Sequence, residues 1–382
     1  MRLIYFDYNA TTPVDPRVLE AMLPYFREQF GNPSSSHDYG LAAHTAIEQA
    51  RGQVAALLGC TPEEIIFTGG GSEADNLAIK GIARANQARG DHLITAQIEH
   101  PAVLATCRYL ERRGFRVTYL PVDRYGRVSP DDVKQAITPR TILITIMHAN
   151  NEVGTLQPLA AIGDLARERG IPFHTDAAQS VGKLPTRVDE LRVDLLTVAG
   201  HKLYAPKGVG ALFVRRGLSM EPLIHGAGHE GGRRAGTENV AGIVGLGEAC
   251  RLTGENLDEE AARLRSLRDR LHQGLATQAG EVYLNGHPNE RLPNTLNVSF
   301  AGVESNTLLS AVPEVAASTG SACHAGRTEP SAVLLAMGVS PELALGAVRF
   351  SLGRWTTEEE VDRIIPLLAR RVRALRDKGS SG

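Results

Sequence analysis

Phe173-His174-Thr175-Asp176-Ala177-Ala178-Gln179 and Asp194-Leu195-Leu196-Thr197-Val198-Ala199-Gly200-His201-Lys202 decide the fold. The first begins as an apolar strand, from Ile171 to His174, and stops at an acid; the second is an apolar run that stops at a histidine and a lysine. In an open parallel sheet, neighbouring strands deliver their last residues to one crevice at the carboxyl edge, where ligands bind. Asp176 and Lys202 are therefore expected to face the same ligand.

The flanking sequence supports such a sheet. Apolar runs at 64–68, 92–95, 117–120 and 141–147 are separated by helical patterns, which implies βαβ units and an α/β, doubly wound, mostly parallel sheet. The run 208–214 follows Lys202 too closely for a crossover helix and is expected to lie antiparallel to its neighbour. From Asn239 the pattern turns helical, and an amphipathic helix over 258–278 is expected to lead into a smaller α/β domain with strands at 294–300, 315–319 and 347–352 and a closing helix at 357–377. The expected division is a large domain over 16–257, with 1–15 and 258–382 forming the small one.

The chain has 382 residues, 42% of them hydrophobic and 22% charged, with a net charge of −2. That is ordinary globular composition, without the basic tract that nucleic acid or an anionic membrane surface would call for. The first residues carry too short an apolar run for a signal peptide and no apolar span is long enough to cross a bilayer, so a cytoplasmic protein is expected. Cys60, Cys107, Cys250 and Cys323 are widely spaced with no Cys-x-x-Cys pair, which predicts neither a disulfide framework nor a metal site.

Six lysines are present. Lys80 and Lys134 lie in helical patterns, Lys183 and Lys207 follow turn residues, Lys378 is in the tail, and Lys202 alone ends a buried strand. A strand-end lysine commonly snorkels to solvent. Paired with a carboxylate that can hold a pyridinium nitrogen, however, a lysine able to form an imine is what pyridoxal phosphate chemistry requires of a protein.

Three further stretches bear on that reading. Gly69-Gly70-Gly71-Ser72-Glu73-Ala74-Asp75-Asn76 follows a strand and opens a helix, so backbone N–H groups and a helix dipole favour an anion at Gly71 and Ser72. A plain turn with Ser72 as helix cap is the other reading. His100, in Glu99-His100-Pro101, could stack on an aromatic ligand and shuttle protons, or simply start a helix. The glycine-rich stretch 226–239 reads as a functional loop or subunit contact, or else as a disordered lid. Cys107 and Cys250 sit in helical patterns as packing residues, whereas Cys323 lies among small residues in an expected mobile loop, beside His324 and near Arg327. Those neighbours could hold it partly as thiolate; an oxidation-prone surface cysteine is the alternative.

Asp7-Tyr8-Asn9-Ala10-Thr11-Thr12-Pro13, Gly31-Asn32-Pro33, Ile65-Ile66-Phe67-Thr68, the His174–Gln179 and Gly200-His201-Lys202 segments, Gly236-Thr237, Gly320-Ser321-Ala322-Cys323 and Arg349-Phe350-Ser351-Leu352-Gly353-Arg354 occur in this order over nearly the whole chain. Together they closely resemble the cysteine desulfurases of the NifS/IscS group, in the class V aminotransferase branch of the fold-type I pyridoxal phosphate enzymes. The resemblance implies pyridoxal 5'-phosphate carried by Lys202, Asp176 on its ring nitrogen, Gln179 on its phenolic oxygen and His100 stacked on the ring. It further implies a phosphate held by Ser72 and His201 and by Thr237 from the partner subunit of a homodimer. Asn151, which also borders the cofactor, and Arg349 would take the substrate carboxylate, and Cys323 would accept sulfur. The implied reaction converts L-cysteine to L-alanine and leaves a persulfide for a sulfur-acceptor or scaffold protein, in iron–sulfur cluster assembly or another sulfur-using route.

Two positions depart from the group. Ala199 stands where serine commonly helps bind phosphate, and His324 where threonine or serine is common. Selenocysteine lyases also have a histidine at the latter position, so release of selenide from L-selenocysteine is the runner-up. An idle scaffold and an ordinary transaminase are weaker readings, since a pure binding module has no need of Lys202, Asp176 and Cys323 together.

Overall fold

The computed structural model describes residues 3–319, 322–324 and 327–379. Seven strands, β1 (Ile65–Thr68), β2 (His92–Ala96), β3 (Arg116–Leu120), β4 (Thr141–Thr145), β5 (Phe173–Asp176), β6 (Leu195–Ala199) and β7 (Gly210–Val214), form one sheet in the order β1-β7-β6-β5-β4-β2-β3. The neighbours from β6 to β3 are parallel, and β7 runs antiparallel to both β6 and β1. This is the arrangement expected from the short link after Lys202.

The strands are apolar along their length because both faces are covered. Ile65 and Phe67 belong to the core on one face, with Phe173, Val198 and Phe213, while Ile66 joins Leu93, Leu143 and Leu212 on the other, under the helix Gly71–Ala85. Alternate side chains of one strand thus serve two cores. In register, His174 pairs with Leu195 and Asp176 with Thr197, which brings the acid that ends β5 beside the strand leading to Lys202.

A second sheet is antiparallel throughout. β8 (Val282–Asn285), β9 (Thr295–Phe300), β10 (Ser318–Thr319) and β11 (Ala347–Ser351) lie in the order β10-β11-β9-β8. Its core holds Leu296, Val298, Phe300 and Phe350 against Leu271 and the closing helix Glu358–Gly379. Ile4 and Phe6 from the other end of the chain join this core, and Ile4–Tyr5 pairs in parallel with Val315–Ala316. The expected strand over 315–319 is therefore two short pieces with different partners.

Another difference concerns the link between the two cores. The expected helix over 258–278 is the second half of one 40-residue helix, Val240–Ala279, capped by the Asn239 side chain. A single non-helical residue, Asn256 (φ −138°, ψ 24°), bends it. Its buried residues run from Ile243 and Leu246, in the core of the large sheet, to Leu267 and Leu275, in the core of the small one.

Candidate active site

A cavity of about 640 Å³ opens at the carboxyl edge of the seven-stranded sheet. Asp176 and Lys202 both line it, together with Gly71, Ser72, His100 and His201. Thr11 of the N-terminal arm closes one side. Six residues singled out from separate stretches of sequence thus converge on one space.

Each is held locally. Asp176 ends β5, and its Oδ1 accepts from the Ala178 N–H at 2.9 Å. Lys202 ends the 3₁₀ turn Gly200–Lys202 after β6. Burial lowers its pKa against the opposing pull of Asp176, which leaves a larger fraction of nucleophilic amine than a solvent lysine has. His201 Nδ1 lies 3.1 Å from Thr11 Oγ1, and burial followed by the charge of Lys202 brings its pKa down to about 4. His100 starts a helix, its Nδ1 accepting from Ala102 N–H at 3.2 Å as the cap of helix Pro101–Glu111, and it also lines the cavity. An accepting Nδ1 means a neutral ring with its proton on Nε2, in keeping with a pKa lowered by burial.

The glycine-rich corner is built from backbone. Gly70 caps the helix Gly71–Ala85 at φ 145°, a conformation that glycine alone adopts readily, and no side chain caps the helix. Ser72 is thus an exposed first-turn residue; the cap is Gly70, a correction to the turn reading in which Ser72 would cap. The first turn of the helix, at Gly71 and Ser72, lines the cavity without a side-chain cap, and such a helix start suits an anion. A Cβ on Gly71 would stand 3.1 Å from Ala199 Cβ, so the two small residues match each other.

Sequence reasoning missed two acids. Asp75 lies 2% exposed on the cavity wall, and its Oδ1 has no hydrogen-bond partner among the described residues. Burial and the charge of Asp176 raise its pKa well above the usual carboxylate value. Asp75, His100 and Asp176 each offer an oxygen or nitrogen within 4.8 Å of the others. Glu99, 3% exposed, accepts from Met147 N–H at 2.8 Å and is raised by burial. For Asp75 the available signal was an acid on the apolar face of a helix, among Ala74, Leu77 and Ala78.

Other expected site residues lie beyond the cavity wall. Arg349, in the middle of β11, donates to the Asn151 carbonyl at 2.9 Å and pairs with Asp7 at 2.7 Å, so Asn151 and Arg349 do meet. Gln179 is buried, its Nε2 donating to the Asn9 carbonyl at 3.0 Å and its Oε1 accepting from Lys183 at 2.9 Å. Lys183, read from sequence as a turn lysine, is only 8% exposed. Thr237 is exposed and lines a separate cavity of about 90 Å³ that shares Gly69 and Gly208 with the main one. Its glycine-rich loop is tied down by Glu230, which receives two bonds from Arg51 at 2.8 and 2.9 Å, and by an Arg234–Glu73 pair at 2.8 Å.

For the thiols, burial raises Cys107 and Cys250 to about 12, as befits packing residues, and partly buried Cys60 likewise. The backbone of Ala322–His324 pairs with Arg327–Glu329, Cys323 opposite Thr328. The thiol of Cys323 and the side chains of His324 and Arg327 lie outside the described residues, as do Gly320, Ser321, Ala325 and Gly326. Just after this hairpin, Ser331 Oγ donates to Glu152 Oε2 at 2.5 Å, beside Asn151.

Among the described residues no helix is long and apolar enough to cross a membrane. Comparison with known proteins agrees with the geometry. The aminotransferase class V model matches residues 4–364. The cysteine desulfurase IscS of Dictyoglomus turgidum is 51% identical over 377 residues, covering 98% of this chain and 96% of that protein. The cysteine desulfurase IscS of Klebsiella pneumoniae is 52% identical over 379 residues, covering 98% and 94%. Among solved structures, a NifS-like protein superposes with a TM-score of 0.92 at 40% identity, covering 97% of this chain and all of that one. SspA in complex with cysteine gives 0.81 at 42% identity, covering 93% and 100%. This chain belongs to the class V aminotransferase family, and within it to the cysteine desulfurases.

Proposed function

We propose that the protein is a pyridoxal 5'-phosphate-dependent cysteine desulfurase that converts L-cysteine to L-alanine and passes the sulfur to Cys323 as a persulfide. One observation carries the reading: Lys202 and Asp176, from adjacent strands, face one cavity whose glycine-rich corner has no side-chain cap on its helix. The residues suit the cofactor, since a pKa-lowered amine, a carboxylate and an N–H cradle match its aldehyde, ring nitrogen and phosphate. Bound there, the cofactor would supply an electron sink for the pair released at the substrate α carbon.

The chain's own residues do the rest. Gly71 and Ser72 N–H groups with His201 would hold the phosphate, Asp176 would keep the ring-nitrogen proton, and neutral His100 would cover the ring. Lys202, once freed, carries a proton at Nζ between substrate and product carbons. Arg349 receives the substrate carboxylate, exchanging Asp7 for it, while Asn151 stays bonded to the other side of the guanidinium. The Cys323 thiolate attacks the substrate sulfur; the S–S bond forms, the C–S bond breaks with its pair left on carbon, and carbon takes a proton to become alanine.

The same reading includes a homodimer in which Thr237 reaches the partner's phosphate site, a cytoplasmic setting, a sulfur-accepting partner protein in iron–sulfur cluster assembly, and division into units 16–257 and 1–15 plus 258–382. Relatives named as cysteine desulfurases support L-cysteine over the selenocysteine lyase suggested by His324. The deciding experiment supplies L-cysteine or L-selenocysteine to the wild type and to Cys323→Ala and measures alanine with sulfide or selenide. With a thiol reductant present to reduce the persulfide, equal amounts of alanine and sulfide from L-cysteine, lost in Cys323→Ala, are expected. Sulfide release that survives this substitution would overturn the persulfide step, and selenide release alone would overturn the assignment.

A further inference from the structure

Lys183 is a buried lysine whose nitrogen donates to two amide oxygens, Gln179 Oε1 at 2.9 Å and Asn9 Oδ1 at 3.2 Å, and among the described residues no carboxylate pairs with it. Burying an amine without a counter-charge costs free energy, which its two hydrogen bonds offset only in part. The group it holds is a primary amide, whose two ends have nearly the same shape and differ only in donating or accepting. A lysine offers donors, so it selects the oxygen end.

We propose that Lys183 is a positioning residue that locks the Gln179 amide with Oε1 turned inward, so that Nε2 is always the end presented toward the ligand cavity. One N–H of Nε2 goes to the Asn9 carbonyl at 3.0 Å, leaving the second for a ligand oxygen. Ala178 and Ala10, the chain neighbours of Gln179 and Asn9, line that cavity. Asn9 completes the lock: its own Nδ2 donates to Thr295 Oγ1 at 2.8 Å and to the Asn151 carbonyl at 3.3 Å, and its Oδ1 also accepts from Asn294 at 3.1 Å. All of Asn9, Gln179 and Asn294 are less than 5% exposed. The lock therefore ties the Gln179 end of the site to the Asn151–Arg349 end through one residue of the arm.

The inference rests on the reading of Gln179 as donor to the cofactor's phenolic oxygen, and it adds what makes Gln179 a donor. A donor fixed in this way favours the deprotonated form of the oxygen it faces. Removing Lys183 frees the amide to turn over and weakens that preference.

The test reconstitutes the full-length protein with pyridoxal 5'-phosphate and follows its visible absorption band with pH. Lys183→Met, close in volume and without a donor, is expected to move the titration midpoint up by about one pH unit. Gln179→Ala is expected to move it in the same direction, and the double variant no further than the larger single shift, because both act through one bond. Lys183→Gln, which keeps a donor on a shorter stem, gives a smaller shift in the same direction and carries the test should Lys183→Met not fold. A midpoint that moves in Gln179→Ala but in neither Lys183 variant overturns the lock and leaves the Gln179 reading standing. Additive shifts overturn it too, and a wild type without a visible band, or one unmoved by Gln179→Ala, removes both readings.

Discussion

In the seven-stranded sheet the reactive side chains stand just past strand ends, with Asp176 closing β5, Lys202 one turn beyond β6 and His100 four residues beyond β2. In the four-stranded sheet the corresponding group, Arg349, stands in mid-strand, paired in register with Asn297 on one side and Ser318 on the other. The large sheet thus keeps an apolar framework and delivers chemistry at its rim. The small sheet carries its polar groups inside, where Asn285 donates to Asn297 and Ser299, each at 2.8 Å. A rim residue can be exchanged without disturbing the framework, whereas a mid-strand polar group is part of what holds its sheet together. The two regions should therefore respond differently to substitution.

The largest expected effect is at the rim. Lys202→Ala should abolish the cofactor's visible band and lower sulfide release by about 10³-fold or more, with an unchanged unfolding transition. Arg349→Gln should keep the band, raise KM and lower kcat/KM by about 10- to 100-fold, the cost of a charged hydrogen bond. Steady-state kinetics and absorbance on both variants check this. A Lys202 variant that retained the band, or an Arg349 variant that lost it, would break the division of labour between the sheets.

Stability gives the next contrast. Asn285→Ala strands two buried acceptors in the small sheet and should cost about 1–3 kcal/mol in urea unfolding without changing KM for L-cysteine. A loss below about 0.5 kcal/mol would mean that the polar ladder inside this sheet is not structural.

The same contrast explains what the sequence could disclose. An apolar run that halts at an acid or a lysine is a visible event, so β5, β6 and the rim they build were readable, as was antiparallel β7 from the shortness of its link. Arg349 within Ala347–Ser351 looks like an interruption of a strand, and only the resemblance to a known family singled it out. Asp75 and Lys183 were missed because their burial depends on the partner element: the Gly71–Ala85 helix turns Asp75 into the cavity wall, and the arm residue Asn9, 174 positions away, covers Lys183. Asn256 did not mark a boundary because helix continues on both sides of it and its bend is set by packing on two cores.

The smallest expected effect separates the two regions by pH. His148 and His174 lie buried near the rim of the large sheet, and burial lowers their pKa values to about 4 and about 3. In the unfolded chain both return to about 6.5, so below that pH the unfolded state binds more protons than the folded one. Their contribution to stability is complete above about pH 6.5 and is lost as pH falls toward the folded values. Asp15 acts in a lower window. Held down to about 2, chiefly by its hydrogen bond from Arg17, it contributes above about pH 4 and is lost only as pH falls from there toward 2. Between pH 6.5 and 5.5, then, Asp15 stays charged in both states while His148 and His174 take up protons only on unfolding, and each should remove about 1 kcal/mol. His148→Gln keeps a partner for Ser180, which lies 2.8 Å from His148 Nδ1, and removes the titration. Urea midpoints at pH 7.5, 6.5 and 5.5 should fall less steeply in this variant than in the wild type. Parallel slopes would mean that His148 takes up its proton in the folded protein as readily as in the unfolded chain, and the acid sensitivity would have to be sought elsewhere.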